Sequence, residues 1–255
     1  MWDPNTYARY GDERSRPFFE LVARIGATAP RTVVDLGCGP GNLTATLADR
    51  WPDAAVRGLD SSPEMIDKAR ASSDLEFAVA DVNDFTPGPD VDVLVSNAVL
   101  QWVPEHQELL RRWSRALSPD GWLAFQVPGN FAAHSHETLR ALAFEEPWRD
   151  LLDWRPRVAP VLDAAGYAQL LLGEGLAVDA WETTYVHLLP AADVHPVLTW
   201  MEGTALRPVR SRLDDAHWAA FRTELGARLA ESYPTTHGVV AFPFARIFCV
   251  AHKAG

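Results

Sequence analysis

The sequence predicts an α/β fold built on a doubly wound, mostly parallel sheet, and three observations predict it. Short apolar runs alternate with stretches of helical periodicity between residues 32 and 127. This order of elements is typical of parallel strands joined by helical crossovers. A glycine-rich turn, Gly37-Cys38-Gly39-Pro40-Gly41, directly follows the first run. Acidic or amide side chains stand where the later runs end, which is where ligands bind in open α/β sheets.

Each element is predicted from its own local pattern. β-branched and apolar runs predict the strands, and apolar residues spaced by three and four predict the helices. Ser62-Pro63, for example, is a cap followed by a proline at the first helical turn. The predicted strands cover residues 32–36, 55–60, 75–81, 91–97, 122–127, 179–189 and 244–252. The predicted helices cover residues 4–25, 42–50, 63–71, 105–117, 193–204 and 214–232, and residues 130–178 are expected to be mostly helical and irregular.

We predict a single domain over residues 1–255, because no linker rich in Gly, Ser or charge interrupts the chain. Its core is expected to comprise residues 30–129, 176–189 and 240–253. The remaining segments, 1–25, 130–175 and 190–235, are interpreted as insertions that cover the mouth of the sheet.

Composition restricts the class of protein. The chain has a net charge of −11 and a hydrophobic content of 47%. An acidic surface disfavours nucleic acid, whose binding depends on neutralising phosphates, and no apolar run is long enough to span a membrane. Two cysteines provide no disulfide framework, and no signal peptide is visible. We therefore expect a cytoplasmic protein with reduced cysteines, and the oligomeric state stays open.

The glycine turn indicates a nucleoside ligand. Its spacing is Gly-x-Gly-x-Gly, and glycine lets the backbone turn tightly and approach a ligand closely. A dinucleotide fingerprint would have its third glycine at position 42, where this chain has Asn42. The turn thus favours a nucleoside without a pyrophosphate, and S-adenosylmethionine is the obvious candidate.

Three further strand ends carry residues that can bind the parts of such a ligand. Asp60 can accept both ribose hydroxyls, Asp81 can accept from an adenine amino group, and the segment around Asn97 can hold an amino-acid moiety. Taken singly, the signals have ordinary alternatives: Asp60 as a helix-capping acid, Asp81 as a solvated strand end, and the glycine turn as a simple tight turn. Their occurrence in order on successive strands favours the ligand interpretation.

These motifs resemble those of the class I S-adenosylmethionine-dependent methyltransferases over residues 30–127. Further segments narrow the resemblance, and the most specific of them are Trp181-Glu182-Thr183-Thr184-Tyr185, Gly203-Thr204-Ala205-Leu206-Arg207-Pro208 and Phe242-Pro243-Phe244-Ala245-Arg246-Ile247-Phe248. With these segments the chain resembles, nearly end to end, the trans-aconitate 2-methyltransferase family. The resemblance implies a seven-stranded Rossmann-like sheet and the cofactor S-adenosyl-L-methionine.

The resemblance also implies in-line methyl transfer to a carboxylate of trans-aconitate. A carboxylate is already ionised at neutral pH, so no essential general base is expected, and arginines are the natural partners of such an anion. The predicted substrate-binding residues are Tyr7, Tyr10, Arg14, Arg207 and Arg246, with Arg16 as a further candidate. The predicted cofactor-binding residues are Asp35, Gly37, Gly39, Gly41, Asp60, Ser61, Met65, Asp81, Val82, Asn97 and Trp102.

Several alternatives remain at this point. The acceptor could be another small dicarboxylate. It could also be a phenol or an amine, and a phenol would need a base, with His106 and His134 as candidates. A nicotinamide-dependent oxidoreductase and a non-catalytic nucleoside-binding regulator are the alternatives outside methyl transfer.

Overall fold

A computed structural model describes residues 15–154 and 160–255, which divide into two compact units. The first unit contains the described residues up to Pro128 together with Val161–Thr183 and Arg246–Gly255. The second contains the described residues of Gly129–Pro160 and Thr184–Ala245. Residues 15–25 and 161–175, which were predicted as insertions, fall in the first unit, and residues 184–189 and 240–245 of the predicted core fall in the second. A single domain stays a prediction.

The first unit is built on alternating strands and helices. Its helices are α1 (Arg16–Ala23), α2 (Asn42–Arg50), α3 (Pro63–Ser72), α4 (His106–Ala116) and α7 (Ala164–Leu172). Its strands are β1 (Thr32–Leu36), β2 (Ala55–Asp60), β3 (Glu76–Val79), β4 (Val91–Asn97) and β5 (Trp122–Pro128). Two longer strands, β6 (Ala177–Pro190) and β8 (Val239–His252), contribute to both units.

The sheet confirms the predicted fold class. Its order is β3-β2-β1-β4-β5-β8-β6, with β1 to β5 parallel and β8 antiparallel to β5. The order reverses at β1 and β4, where the chain moves from one half of the sheet to the other. In such sheets ligands bind beyond the carboxyl ends of the strands at this point.

The first core forms where the strands and α4 bury their apolar residues. All five residues of β1 are buried, as expected of a central parallel strand covered on both faces. On α4, Leu109, Leu110 and Trp113 are buried, and their spacing places them on one side of the helix. Both cysteines are also buried, Cys38 in the glycine turn and Cys249 in β8.

The second unit has its own core around α10 (Asp215–Ser232). Phe221, Leu225 and Leu229 form its buried stripe, with the spacing of four residues that places side chains on one helix face. Their partners come from the other helices and the strand β8. Those helices are α5 (His134–Phe144), α6 (Trp148–Leu152), α8 (Pro196–Glu202) and α9 (Arg207–Arg210).

A short hairpin in the second unit was not predicted. Strand β7 (Thr235–Thr236) pairs with the start of β8, and the turn between them contains His237 and Gly238 at φ of 52° and 78°. Two consecutive residues with positive φ are what a tight hairpin turn of matching twist requires. The pairing extends β8 back to Val239, five residues before the predicted start.

No helix in the described part of the chain is long and apolar enough to cross a membrane.

Candidate functional site

Parallel pairing brings four predicted site segments to one edge of the sheet. Leu36 at the end of β1 pairs with Leu59 of β2 and with Ser96 of β4. At the same edge, Asp60 pairs with Val79, and Asn97 pairs with Gln126 of β5. We call this the carboxyl edge.

The glycine loop, residues 37–41, adopts a backbone that side chains rarely tolerate. Gly37, Gly39 and Gly41 all have positive φ, between 55° and 79°. A Cβ at Gly37 would overlap the side chain of Val99, and one at Gly41 would lie 2.7 Å from Phe77. A Cβ at Gly39, by contrast, would meet no atom of the described residues within 4 Å. Gly37 and Gly41 therefore permit close packing, whereas Gly39 borders space that the described residues leave open.

Asp60 fixes the loop through hydrogen bonds. Its Oδ2 accepts from the backbone N–H of Gly39 at 2.9 Å, and its Oδ1 accepts from that of Ser62 at 2.9 Å. The N–H groups of Gly37 and Cys38 donate to the Leu59 carbonyl oxygen at 2.7 and 3.0 Å. A carboxylate oxygen has a second lone pair, so Asp60 retains acceptor capacity for hydroxyl groups.

Asp35 supports the loop from inside the sheet. It is 2% exposed, and its Oδ2 accepts from the Thr44 hydroxyl at 2.6 Å, which ties β1 to α2. Burial raises the pKa of the Asp35 carboxyl to about 6; the Thr44 bond opposes this shift and the charge of Asp60 adds to it. A direct contact between Asp35 and a cofactor stays a prediction.

Asp81 lies just beyond β3, which ends two residues earlier than predicted. Its Oδ1 accepts from the backbone and side-chain N–H groups of Asn83, both at 2.8 Å. These bonds form a tight turn that ends the strand. Asp81 is exposed, and the adjacent Val82 is buried.

Asn97 carries a polar atom without a hydrogen-bond partner in residues 15–154 and 160–255. Its Oδ1 is buried and accepts no hydrogen bond among the described residues. The next residue, Ala98, has φ of 58°, a backbone conformation uncommon outside glycine. An orphaned acceptor at a strand end fits a ligand that brings a donor, such as an ammonium group.

Three other predicted cofactor-binding residues flank this edge. Ser61 is exposed directly after β2, and Met65 is half-buried in the first turn of α3. Trp102 ends a short 3₁₀ helix after β4 and is 51% exposed, so its ring is accessible.

The predicted substrate-binding residues are placed differently from one another. Arg246 is 8% exposed at the start of the β8 segment that pairs with β5, and its Nη1 donates to Gln126 Oε1 at 3.2 Å. Arg207 is exposed at the start of α9 in the second unit. Arg16 is largely exposed and pairs with Glu20. Tyr7, Tyr10 and Arg14 lie outside the described residues.

The two histidines considered as bases have ordinary structural environments. His106 is buried, with Nε2 2.9 Å from the Tyr167 hydroxyl and Nδ1 3.0 Å from the Val103 carbonyl oxygen. It is thus a hydrogen-bonded residue of the core. His134 is exposed beside Glu137.

Gln126 was not singled out from the sequence. It is fully buried in β5, next to Asn97 in register and bonded to Arg246. The available signal was one amide in the apolar run Trp122–Val127, close to a strand end.

Comparisons with known proteins agree with this architecture. A family model described as a methyltransferase domain matches residues 33–121. A trans-aconitate 2-methyltransferase of Mycobacterium sp. (strain KMS) is 56% identical over 254 residues, covering 98% of this chain and 99% of that protein. One from Mycobacterium tuberculosis is 50% identical over 258 residues, covering 100% and 98%.

A solved structure has a similar fold. It is phosphoethanolamine N-methyltransferase 2 of Haemonchus contortus in complex with S-adenosyl-L-methionine, with a TM-score of 0.52 and 15% identity over 94% of this chain and 53% of that one. These relatives are 50–56% identical to this chain over nearly its whole length, and the sheet, the glycine loop and the matched methyltransferase domain agree with them. This chain belongs to the trans-aconitate 2-methyltransferase family.

Proposed function

We propose that this methyltransferase converts trans-aconitate to its monomethyl ester. The observation that carries the proposal is the identity of 50–56% to proteins named for this activity, over nearly the whole chain. The alternative, methylation of another small dicarboxylate, would use the same cofactor site and the same kind of arginine contacts.

S-adenosylmethionine is the cofactor, and the carboxyl edge fits it. When bound, it supplies a methyl group activated by a sulfonium. Gly39 borders open space, so a nucleoside can approach the backbone there. Asp60 retains acceptor capacity for ribose hydroxyls, Asp81 is exposed for an adenine amino group, and Asn97 Oδ1 suits an ammonium group.

The acceptor requires charge and alignment rather than a base. A carboxylic acid with a pKa of about 4 is ionised at neutral pH, so no residue has to remove a proton. Arginine stays charged and offers several donors in a plane, which matches a carboxylate. Arg246 is the proposed partner, and Arg207 stays a prediction from the sequence. Holding the acceptor oxygen in line can contribute roughly 7–11 kcal/mol.

The test is direct. Purified protein is mixed with S-adenosylmethionine and trans-aconitate, and the ester is sought by mass spectrometry alongside a panel of other dicarboxylates and phenols. We expect the monomethyl ester of trans-aconitate to form fastest. Faster turnover of another dicarboxylate would favour the alternative acceptor, and turnover of phenols alone would contradict both.

For the acceptor site, Arg246→Lys should raise KM for trans-aconitate, because lysine keeps the charge but loses the fork of donors. The dissociation constant of S-adenosylhomocysteine, measured by calorimetry, should stay unchanged. An unaltered KM for trans-aconitate in this variant would contradict the proposal that Arg246 binds the acceptor.

A further inference from the structure

A fully buried amide lies beside the proposed acceptor-binding arginine. Gln126 is 0% exposed and lies two residues before Pro128, the last residue of β5. Pairing places Pro128 opposite Arg246, and Gln126 opposite Phe248, in the antiparallel β5–β8 ladder. Arg246 and Phe248 are two residues apart, so Gln126 and Arg246 project from the same face of the sheet.

The orientation of this amide is fixed by chemistry. Arg246 Nη1 lies 3.2 Å from the amide atom of Gln126 that faces it. A guanidinium is only a donor, so that atom must be the acceptor Oε1. The Nε2 group therefore points away from Arg246, and exchanging the two amide atoms would place donor against donor.

The Gln126 Nε2, which points away from Arg246, has no hydrogen-bond partner in the part of the chain that the structure describes. It is buried and makes no hydrogen bond among the described residues, and Asn97, its register neighbour on β4, has an orphaned Oδ1. Leaving a buried donor unpaired is unfavourable, and such groups in native proteins call for an explanation. A ligand group that accepts a hydrogen bond from Nε2 would explain this unpaired donor.

We infer that Gln126 is a specificity-determining residue for the acceptor. Its Oε1 holds the Arg246 guanidinium, and its Nε2 donates to the acceptor carboxylate that Arg246 attracts. The pair then presents donors only, so it favours an ionised carboxylate over an ester, which has lost the negative charge. This inference rests on the proposed function, because it requires Arg246 to face a carboxylate.

The test compares Gln126→Glu with wild type. The variant keeps the shape of the side chain, replaces the Nε2 donor by an acceptor and places a negative charge beside Arg246. We expect KM for trans-aconitate to rise about 10- to 100-fold, the range for losing a hydrogen bond to a charged group. The dissociation constant of S-adenosylhomocysteine should stay within about twofold, because the inference places the Gln126 Nε2 on the carboxylate of trans-aconitate and not on the α-carboxylate of that ligand.

Two further variants serve as controls. Gln169→Glu makes the same change on an exposed position of α7 and should leave KM unaltered. Gln126→Met removes the amide without adding charge and should raise KM less than Gln126→Glu, with circular dichroism confirming that both variants fold. Combined with Arg246→Lys, the Gln126→Glu effect should be smaller than in the wild-type background, since the two residues act on one group.

Two outcomes would overturn the inference. An unchanged KM in Gln126→Glu would make the amide a packing residue, and a weakened affinity for S-adenosylhomocysteine would assign it to the cofactor side. If wild type itself forms no ester from trans-aconitate, the proposed function fails first. Calorimetric titration of trans-aconitate into each variant, in the presence of S-adenosylhomocysteine, then tests Gln126 separately: equal heats overturn the inference, and weaker binding to Gln126→Glu supports it.

Discussion

Gly39 differs from its neighbours in the glycine loop because nothing in the described structure occupies the space above it. At Gly37 and Gly41 a side chain would collide with Val99 and Phe77, so glycine is required there for the fold. At Gly39 only the positive φ resists a side chain. A substitution at Gly39 therefore tests ligand binding with little effect on the packing of the fold.

Gly39→Ala should weaken cofactor binding without preventing folding. Gly175 is a matched control, because its φ of 81° is also positive and a Cβ there would also meet nothing within 4 Å. Placing alanine at such a backbone conformation costs roughly 1–2 kcal/mol, so both variants should lose similar stability. Only Gly39→Ala should raise the dissociation constant of S-adenosylhomocysteine, by about tenfold or more in calorimetry. Equal affinities in the two variants would contradict a ligand above Gly39.

Asp35 should make the stability of the protein depend on pH. Its pKa in the folded state, about 6, lies above the ordinary value of 3.8, so the fold favours the protonated form. The stability it contributes is complete below about pH 4 and is lost as pH rises through about 6. Asp35→Asn keeps an acceptor for Thr44 and cannot ionise. Urea unfolding from pH 4 to 7 should show wild type losing up to about 3 kcal/mol relative to this variant. If the stability of wild type and of Asp35→Asn varied with pH in the same way, the raised pKa of Asp35 would be contradicted.

Residue types and spacing predicted much of the site but not all of it. Glycines and acids at strand ends are visible because few other roles need them in that order. Gln126 could not be assigned, since an amide in a strand is ordinary until its partners are known. Its significance depends on Arg246, which is 120 residues away along the chain and meets it only through strand pairing.

At the scale of elements, a polar link joins α4 to α7 within the first core. His106 at the start of α4 bonds the Tyr167 hydroxyl of α7, and the Tyr167 ring packs edge-on against Phe125 of β5 at 4.9 Å. Both polar groups are almost fully buried. The link therefore stabilises the packing of the two helices and gives His106 a role that requires no proton transfer.

Tyr167→Phe should reduce stability while sparing catalysis. The ring contact with Phe125 is retained, but His106 loses this buried hydrogen bond, at a cost of about 1–3 kcal/mol. Thermal unfolding should show the loss, and kcat/KM for trans-aconitate should stay unchanged at a temperature where the variant is folded. A large fall in kcat would instead support His106 as a base.

The elements themselves were predicted unequally. Strands β1 to β5 and their helices repeat one local pattern, so periodicity was sufficient to find them. The hairpin of β7 was missed because its two residues, Thr235 and Thr236, are exposed and carry no apolar alternation. Residues 130–178 contain α5, α6 and α7, whose exact limits depend on tertiary packing that periodicity does not register.

At the scale of the whole molecule, the net charge of −11 opposes an anionic substrate. Salt weakens this long-range repulsion first, because the screening length falls from about 30 Å at 0.01 M to about 10 Å at 0.1 M. Contacts with a buried arginine such as Arg246 are screened much less. We therefore expect kcat/KM for trans-aconitate to rise as ionic strength increases over this range, while the affinity for S-adenosylhomocysteine changes little. A steep fall in kcat/KM would indicate attraction by a basic surface instead.

The two cysteines provide an intrinsic probe of opening motions. Burial raises the pKa of both thiols to about 12, and Cys38 lies in the glycine loop whereas Cys249 lies inside the sheet. A thiol reagent such as a disulfide dye reacts with the thiolate, so labelling has to await exposure. Cys38 then reports local release of the loop, which a bound nucleoside slows, and Cys249 reports unfolding of the sheet. The labelling rates of the two native cysteines thus report separately on opening of the glycine loop and on unfolding of the sheet, without engineered labels.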